Sequence, residues 1–481
     1  MKIQDLKPNN LWNYFYEINL IPRASKKEEK IRDYLVSFAK NNQIKYQTDS
    51  VGNVFLYKNA TSGYENHPII TLQAHMDMVH QKNNDTVFDF DNQAIEMHID
   101  DDWVKANGTT LGADNGIGLA AILAVFASKD LKHPPLEALI TMDEETGMTG
   151  AKNLNINYLK GNTLLNLDSE DEEEFSIGCA GGMDTNTSKN YTLLPISTVN
   201  ISYEFSLSGL LGGHSGMDIH LGRGNANKLL NRVLYELLSV ELTQLVSFVG
   251  GSLRNAIPRE ARMTLTFPFE KEEQLLALWL NVTEKISLEY KTIEPQILFQ
   301  AKKVENEKNA INNEDSKDFC SCIHSVFNGV YRMSPEMKDL VETSSNLALV
   351  KLKNGQFETQ SLQRSSIQSG IEEISRSVKC VFESFSCKVQ QGNDYPGWKP
   401  NPNSMIVQKM SSWYKEMFNK NPKILACHAG LECGILSAHF PEMEMISFGP
   451  NIKGAHSPDE KVQISSVQNF WNFLVKTLEN L

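Results

Sequence analysis

Three apolar runs in this chain end abruptly on acids or histidine. PIITLQAHMD closes with His75 and Asp77, PLEALITMDEE with Asp143, Glu144 and Glu145, and NTLLNLD with Asp168. Apolar runs of about four to eight residues without alternation are the pattern of strands buried on both faces, which belong mainly to parallel sheets covered by helices. An apolar helix is predicted from about Asn115 to Ser128, introduced by Gly112 and Asp114, and EMEMISFGP reads as one more buried strand before His456. Strands alternating with helices in this way indicate an α/β fold: a mixed, mainly parallel sheet with helices on both faces. Ser25-Lys26-Lys27-Glu28 has the form of a capping box and predicts a helix running to about Asn41.

The chain of 481 residues is too long for a single core. Its texture changes after Gly181-Gly182, where alternating strands such as TVNISYEFSLSG and ARMTLTFPF take over, with helical stretches such as NANKLLNRVLYELL between them. The expected organisation is one α/β domain in two parts, residues 1–185 and 394–481, interrupted by an α+β insertion over 186–393. The insertion divides into two strand-and-helix halves near residue 300, without a clean sequence repeat.

Composition excludes several functions. A net charge of −13, from 46 basic and 59 acidic residues, is unsuited to gripping a phosphate backbone, so no nucleic-acid partner is expected. The N-terminal MKIQDLKPNN lacks the apolar core of a signal peptide. GLAAILAVFA is about half the roughly 20 residues a membrane helix needs, so no membrane association is expected. The seven cysteines show neither a zinc-knuckle spacing nor a disulfide framework, which points to reduced thiols and the cytoplasm.

The positions of the polar residues say more. In open α/β sheets, ligands bind beyond the carboxyl ends of the strands. His75, Asp77, Glu144, Glu145 and Asp168 all end strands, Asp114 enters a helix, and His456 follows a strand through GPNIKGAHSPDE. Each has an ordinary reading: HxD recurs by chance, DEET suits a solvated turn, GADNG can cap a helix, and His456 can be a surface histidine. DSEDEEE reads as a solvated acidic loop after its first residue. Their coincidence at corresponding strand ends is what argues for a site. A nitrogen and oxygen set without cysteine suits Zn²⁺, Mn²⁺ or Co²⁺ better than Ca²⁺ or Mg²⁺. The ligands suffice for two ions if one carboxylate bridges, and ions about 3.5–4 Å apart can activate water and polarise a carbonyl together. Adjacent glutamates would then divide the work, one on a metal and one on the water.

AHMDMV, GTTLGADNGIGLAA, TMDEETGMTGA, NLDSED, SGLLGGHSGMDIH, YPGWKPN and GAHSPDE together resemble the metallopeptidase family that includes aminoacylase, carboxypeptidase G and carnosinase. The likeness is greatest to its aminoacyl-histidine dipeptidase branch and extends from Trp12 to near the C-terminus. It implies a zinc-peptidase-like catalytic domain with the insertion as a lid. It also implies Asp114 as the bridging carboxylate, His75 and Asp168 on one ion, and Glu145 and His456 on the other. Glu144 would be the general base, Asp77 would orient His75, and a cis peptide would follow Asp114. In the lid, the resemblance gives His214 to the developing oxyanion, and Asn255, Arg364 and the backbone of Gly430 to the substrate's terminal carboxylate region.

The implied reaction is hydrolysis of dipeptides, Xaa-His dipeptides among them, by water activated on two divalent ions, most suitably zinc. An N-acyl-amino-acid deacylase or a carboxypeptidase would share the same ligands, although the length of the insertion matches the dipeptidase branch. A metal-free binding protein that kept the fold is the contrasting possibility. The expected partner is a small peptide, and the resemblance leaves monomer and homodimer open. Asp143, His428 and Glu432 receive no role from it.

Overall fold

The computed structural model describes residues 2–481. Two compact units emerge. One holds the chain up to Gly178 with Trp398–Ala426 and Leu431–Leu481, and the other holds Cys179–Gly397 with Cys427–Gly430.

The first unit is built on an eight-stranded mixed sheet. Its centre is parallel: Ile70–His75 lies between Leu136–Thr141 and Thr163–Asn166, and Glu444–Ser447 extends the run. The flanks are antiparallel, with Val54–Lys58 and Lys45–Thr48 on one side and Glu174–Cys179 on the other. Every residue of Ile70–His75 and of Leu136–Thr141 is buried, as expected for apolar runs covered on both faces. The parallel register pairs His75 with Thr141 and Gln73 with Asn166. The three strands therefore finish at nearly the same level, and the polar residues after them emerge along one edge.

Helix Ala113–Ala127 packs against Ile70–His75 and against helix Asn9–Asn19, and it is buried almost all round. It begins slightly before the expected Asn115. Asp114 and Asn115 depart from helical dihedrals there, and the peptide between them is cis.

The capping box at Ser25 does not form. Helix Glu29–Asn41 starts behind Glu28 without a side-chain cap. Ser25 Oγ instead donates to Asp77 Oδ2 at 2.8 Å, and Glu28 Oε1 accepts from the backbone of Lys26 at 2.8 Å and of Asp143 at 3.1 Å. A buried carboxylate competes for the hydroxyl more strongly than a helix end that can reach water.

The second unit carries a nine-stranded antiparallel sheet. Leu298–Val304, Asn200–Ser208, Ala261–Pro268 and Gln244–Gly250 form one side in that order, and Val341–Lys353, Gln356–Ser365, Gly181–Asn190 and Lys388–Tyr395 follow. The earliest strand, Gly181–Asn190, thus lies among the latest ones, a long-range pairing invisible to a division near residue 300. Its apolar core runs from Phe205 and Leu230 through Phe319 to Phe382. No helix among the described residues is long and apolar enough to cross a membrane.

In the first unit, Phe175 stacks on Phe473 at 5.5 Å and meets Tyr414 edge-on at 5.5 Å. Truncating it to Ala should cost about 3–5 kcal/mol of stability, read as a lowered urea midpoint.

Candidate metal centre

The edge where the parallel strands end gathers the polar residues of the first unit. His75 Nε2 lies 3.2 Å from Asp114 Oδ1 and 3.6 Å from Asp168 Oδ1. His456 Nε2 lies 3.3 Å from Asp114 Oδ2 and 3.0 Å from Glu145 Oε2. The two oxygens of Asp114 therefore address different imidazoles, and two ligand triads share it: His75, Asp114 and Asp168, and Asp114, Glu145 and His456.

The donor set fits divalent cations. Ligand atoms around a tetrahedral zinc with bonds of about 2.0–2.1 Å stand about 3.3 Å apart, close to the spacings just given. Glu145 Oε1 is buried without a hydrogen-bond partner, an orphan that a cation would satisfy.

Neighbouring groups hold this arrangement in place. Asp77 faces His75 Nδ1 at 3.3 Å through Oδ1. The same carboxylate accepts the backbone N–H of Glu144 at 3.1 Å and of Glu145 at 3.3 Å. One buried acid thus holds a candidate ligand imidazole and the loop bearing both glutamates. Asp143 shapes that loop: it sits at φ +53° and accepts the hydroxyls of Thr146 and Thr149. Asn115 donates to the carbonyl of Leu167 at 3.0 Å and to Asp168. Arg23 and Glu460, both buried, grip the backbone around Asp114 from two sides.

Electrostatics separates the acids. Burial raises Glu144 to about 8, His75 opposing and Glu432, Glu145 and Asp114 adding to the rise. Among the described residues, no donor reaches its carboxylate. Burial pushes Asp168 up as well, helped by Asp114 and Glu144. At Asp114 burial acts in the same sense, but hydrogen bonds from His456 and His75 outweigh it and hold that acid below the usual carboxylate range. His456 is driven up to about 11 by Asp114 and Glu145. Burial alone would lower His75, but Asp168, Asp114 and Asp77 hold it well above its ordinary value, so cations binding here would release protons.

Glu432, for which the sequence suggested no role, begins helix Glu432–His439 and is buried. Its Oε2 accepts from Gln73 at 2.6 Å and Thr141 at 2.8 Å, and burial raises it to about 7.

The remaining candidates lie in the second unit. His214 Nδ1 accepts the backbone N–H groups of Gly216 at 3.2 Å and Met217 at 3.0 Å. The neutral ring therefore keeps its proton on Nε2 as a donor, and burial, with the charge of Arg364, lowers its pKa. Asn255 is exposed, and its carbonyl accepts the N–H of Ser215 at 2.8 Å. Arg364 donates to the Tyr395 hydroxyl at 2.8 Å, while its Nε has no partner. Gly430 lies against the same tyrosine, where a Cβ would come within 2.9 Å of Cε2. His428 bonds Ser344 Oγ through Nε2 at 2.7 Å.

Sequence reasoning missed Arg23, Tyr395 and Glu460. Two of them left a trace, because Tyr395 opens YPGWKPN and Glu460 ends GAHSPDE.

Residues 71–480 match the peptidase family M20/M25/M40. The chain is 42% identical over 480 residues to the cytosol non-specific dipeptidase of Escherichia coli K12, covering 100% of this chain and 99% of that protein. The crystal structure of aminoacylhistidine dipeptidase from Vibrio alginolyticus superposes with a TM-score of 0.96 at 44% identity, covering 100% of this chain and 98% of that one. A tripeptidase from Staphylococcus aureus shares the fold at a TM-score of 0.56 and 16% identity, covering 99% and 98%.

Burial, aided by Arg364 and His214, lowers His428 to about 3. The unfolded chain binds that proton near pH 6.5 and the folded chain does not, so the native state loses stability as pH falls below about 6.5. The slope for this one group approaches about 1.4 kcal/mol per pH unit. NMR should find His428 neutral down to pH 4, and His428→Asn should flatten the acid limb of the stability curve.

Proposed function

The chain belongs to the peptidase family M20/M25/M40, and from that premise we propose that it hydrolyses dipeptides, Xaa-His dipeptides among them, with two divalent cations bound. The observation that carries this reading is Asp114 set between two imidazoles, one to each carboxylate oxygen. Full-length similarity to two dipeptidases supports the substrate class. His75, Asp114 and Asp168 would hold one cation and Asp114, Glu145 and His456 the other. Zinc suits the nitrogen and oxygen donors, as do manganese and cobalt. When bound, the cations would supply Lewis-acid polarisation of the scissile carbonyl and lower the pKa of water.

The chain's own residues do the rest. Glu144, left free by its neighbour's attachment to His456, accepts the proton of the attacking water on its carboxylate. The new C–O bond forms as the carbonyl becomes tetrahedral, and His214 donates Nε2–H to the developing oxyanion. Glu144 then passes the proton to the amine nitrogen as the C–N bond breaks. Asp77 keeps His75 oriented throughout. Arg364 pairs through its planar fork with the terminal carboxylate of the substrate, a contact that selects short peptides. Asn255 and the backbone of Gly430 complete that recognition. We assign the activity to the cytoplasm because the cysteines form no disulfide and the E. coli relative is cytosolic by name.

Three substitutions test these assignments. Glu144→Gln should retain both metal equivalents by elemental analysis while kcat falls by about 10²–10⁴-fold. Glu145→Ala should lose a metal equivalent as well as activity. Arg364→Ala should raise KM for dipeptides by about 10–100-fold, the value of a charge-assisted hydrogen bond. A panel of dipeptides, tripeptides and N-acyl-amino acids tests the substrate class; faster turnover of the acyl-amino acids would overturn the dipeptidase reading.

A further inference from the structure

Glu460 lies four residues after His456, and its side chain is 2% exposed. Its carboxylate accepts successive backbone N–H groups along residues 111–114. Oε2 takes Leu111 at 2.7 Å and Gly112 at 2.8 Å, and Oε1 takes Ala113 at 2.7 Å and Asp114 at 3.2 Å. From the other side, Arg23, 1% exposed, donates to the carbonyl of Gly112 at 2.5 Å. Its second nitrogen donates to the carbonyls of Met76 at 3.2 Å and Asp77 at 2.8 Å. The approach is close enough to require glycine at 112: φ is +70°, and a Cβ would meet Arg23 Nη2 at 2.5 Å and Met78 Sδ at 2.8 Å. The loop bearing Asp114 is thus tied by its N–H groups to the loop of His456 and by its carbonyl to the loop of His75.

We infer that Glu460, with Arg23 opposite it, is a positioning residue that fixes the separation of the two ligand triads sharing Asp114. An ordinary helix cap sits next to its helix and satisfies one or two N–H groups. Glu460 comes from 346 residues away and occupies all the N–H groups along 111–114. A cap would stabilise the helix wherever its own loop went. A carboxylate carried on the loop of a ligand instead sets the distance between that ligand and the residue it shares a cation with. The geometry therefore exists before any cation arrives, and less ordering remains to be done on binding.

This inference rests on the ligand assignments of Asp114 and His456, and the test separates the two. Metal-free wild type, His456→Ala, Glu460→Gln and Glu460→Asp are titrated with Mn²⁺ alone by calorimetry, with circular dichroism as the check on folding. The glutamine is isosteric, but its amide nitrogen donates, so half of the N–H groups lose their acceptor and face another donor. The expected result is one Mn²⁺ equivalent retained by Glu460→Gln and the other weakened by about 10–100-fold, as for loss of a group that holds a ligand. Glu460→Asp, which keeps the charge, should recover part of that affinity. Wild-type affinity for both equivalents in Glu460→Gln would overturn the positioning role alone. Retention of both by His456→Ala would overturn the ligand assignment beneath it, and this inference with it. Should Glu460→Gln fail to fold, hydrogen exchange in metal-free wild type decides: amides 111–114 should exchange as slowly as the middle of the helix that follows them, and fast exchange there overturns the inference.

Discussion

Carboxylates buried side by side repel one another, and this chain places a dense group of them around one edge of one sheet. At about 4 Å, with an effective dielectric of about 20, each like-charged pair costs about 4 kcal/mol. Four of the group are stabilised by ordinary hydrogen bonds. Asp77 has the backbone of Glu144 and Glu145 and the Ser25 hydroxyl. Asp143 has two threonine hydroxyls, Glu432 has Gln73 and Thr141, and Glu460 has the N–H groups along residues 111–114. Subtracting these leaves Asp114, Glu144 and Glu145, and Asp168 with only the Asn115 amide beside it. These acids have His75 and His456 as their neighbours, the mixed nitrogen and oxygen set that suits divalent cations.

The strand ends were readable in the sequence because burial on both faces writes itself locally, as apolar runs without alternation. Parallel register then aligns neighbouring strands, so polar residues at the ends of separate runs had to meet. Other features were written nowhere nearby. Ser25 has the spacing of a capping box, but its hydroxyl is claimed by Asp77, far along the chain. Glu460 looked like the tail of a loop until the N–H groups it serves came into contact with it. The strand Gly181–Asn190 pairs with Gln356–Ser365 and Lys388–Tyr395, which no local pattern announces. The residues of the second unit proposed to recognise substrate came from motif resemblance; burial and periodicity alone did not single them out.

Glu144 and Glu145 began as an oddity of composition, two like charges on adjacent residues. Both backbone N–H groups are held by one acid, Asp77, which fixes the backbone from which the two side chains leave. Asp143, in the left-handed region just before them, is pinned by Thr146 and Thr149. Glu145 then finds His456 at 3.0 Å. Glu144 finds burial, the nearby Glu432 and no donor, and it rises to about 8. Different surroundings are how one fold can assign different tasks to chemically identical side chains. The proposed ligand and base differ by a single step along the backbone, so the division of work proposed for them depends on the loop that Asp77 and Asp143 hold.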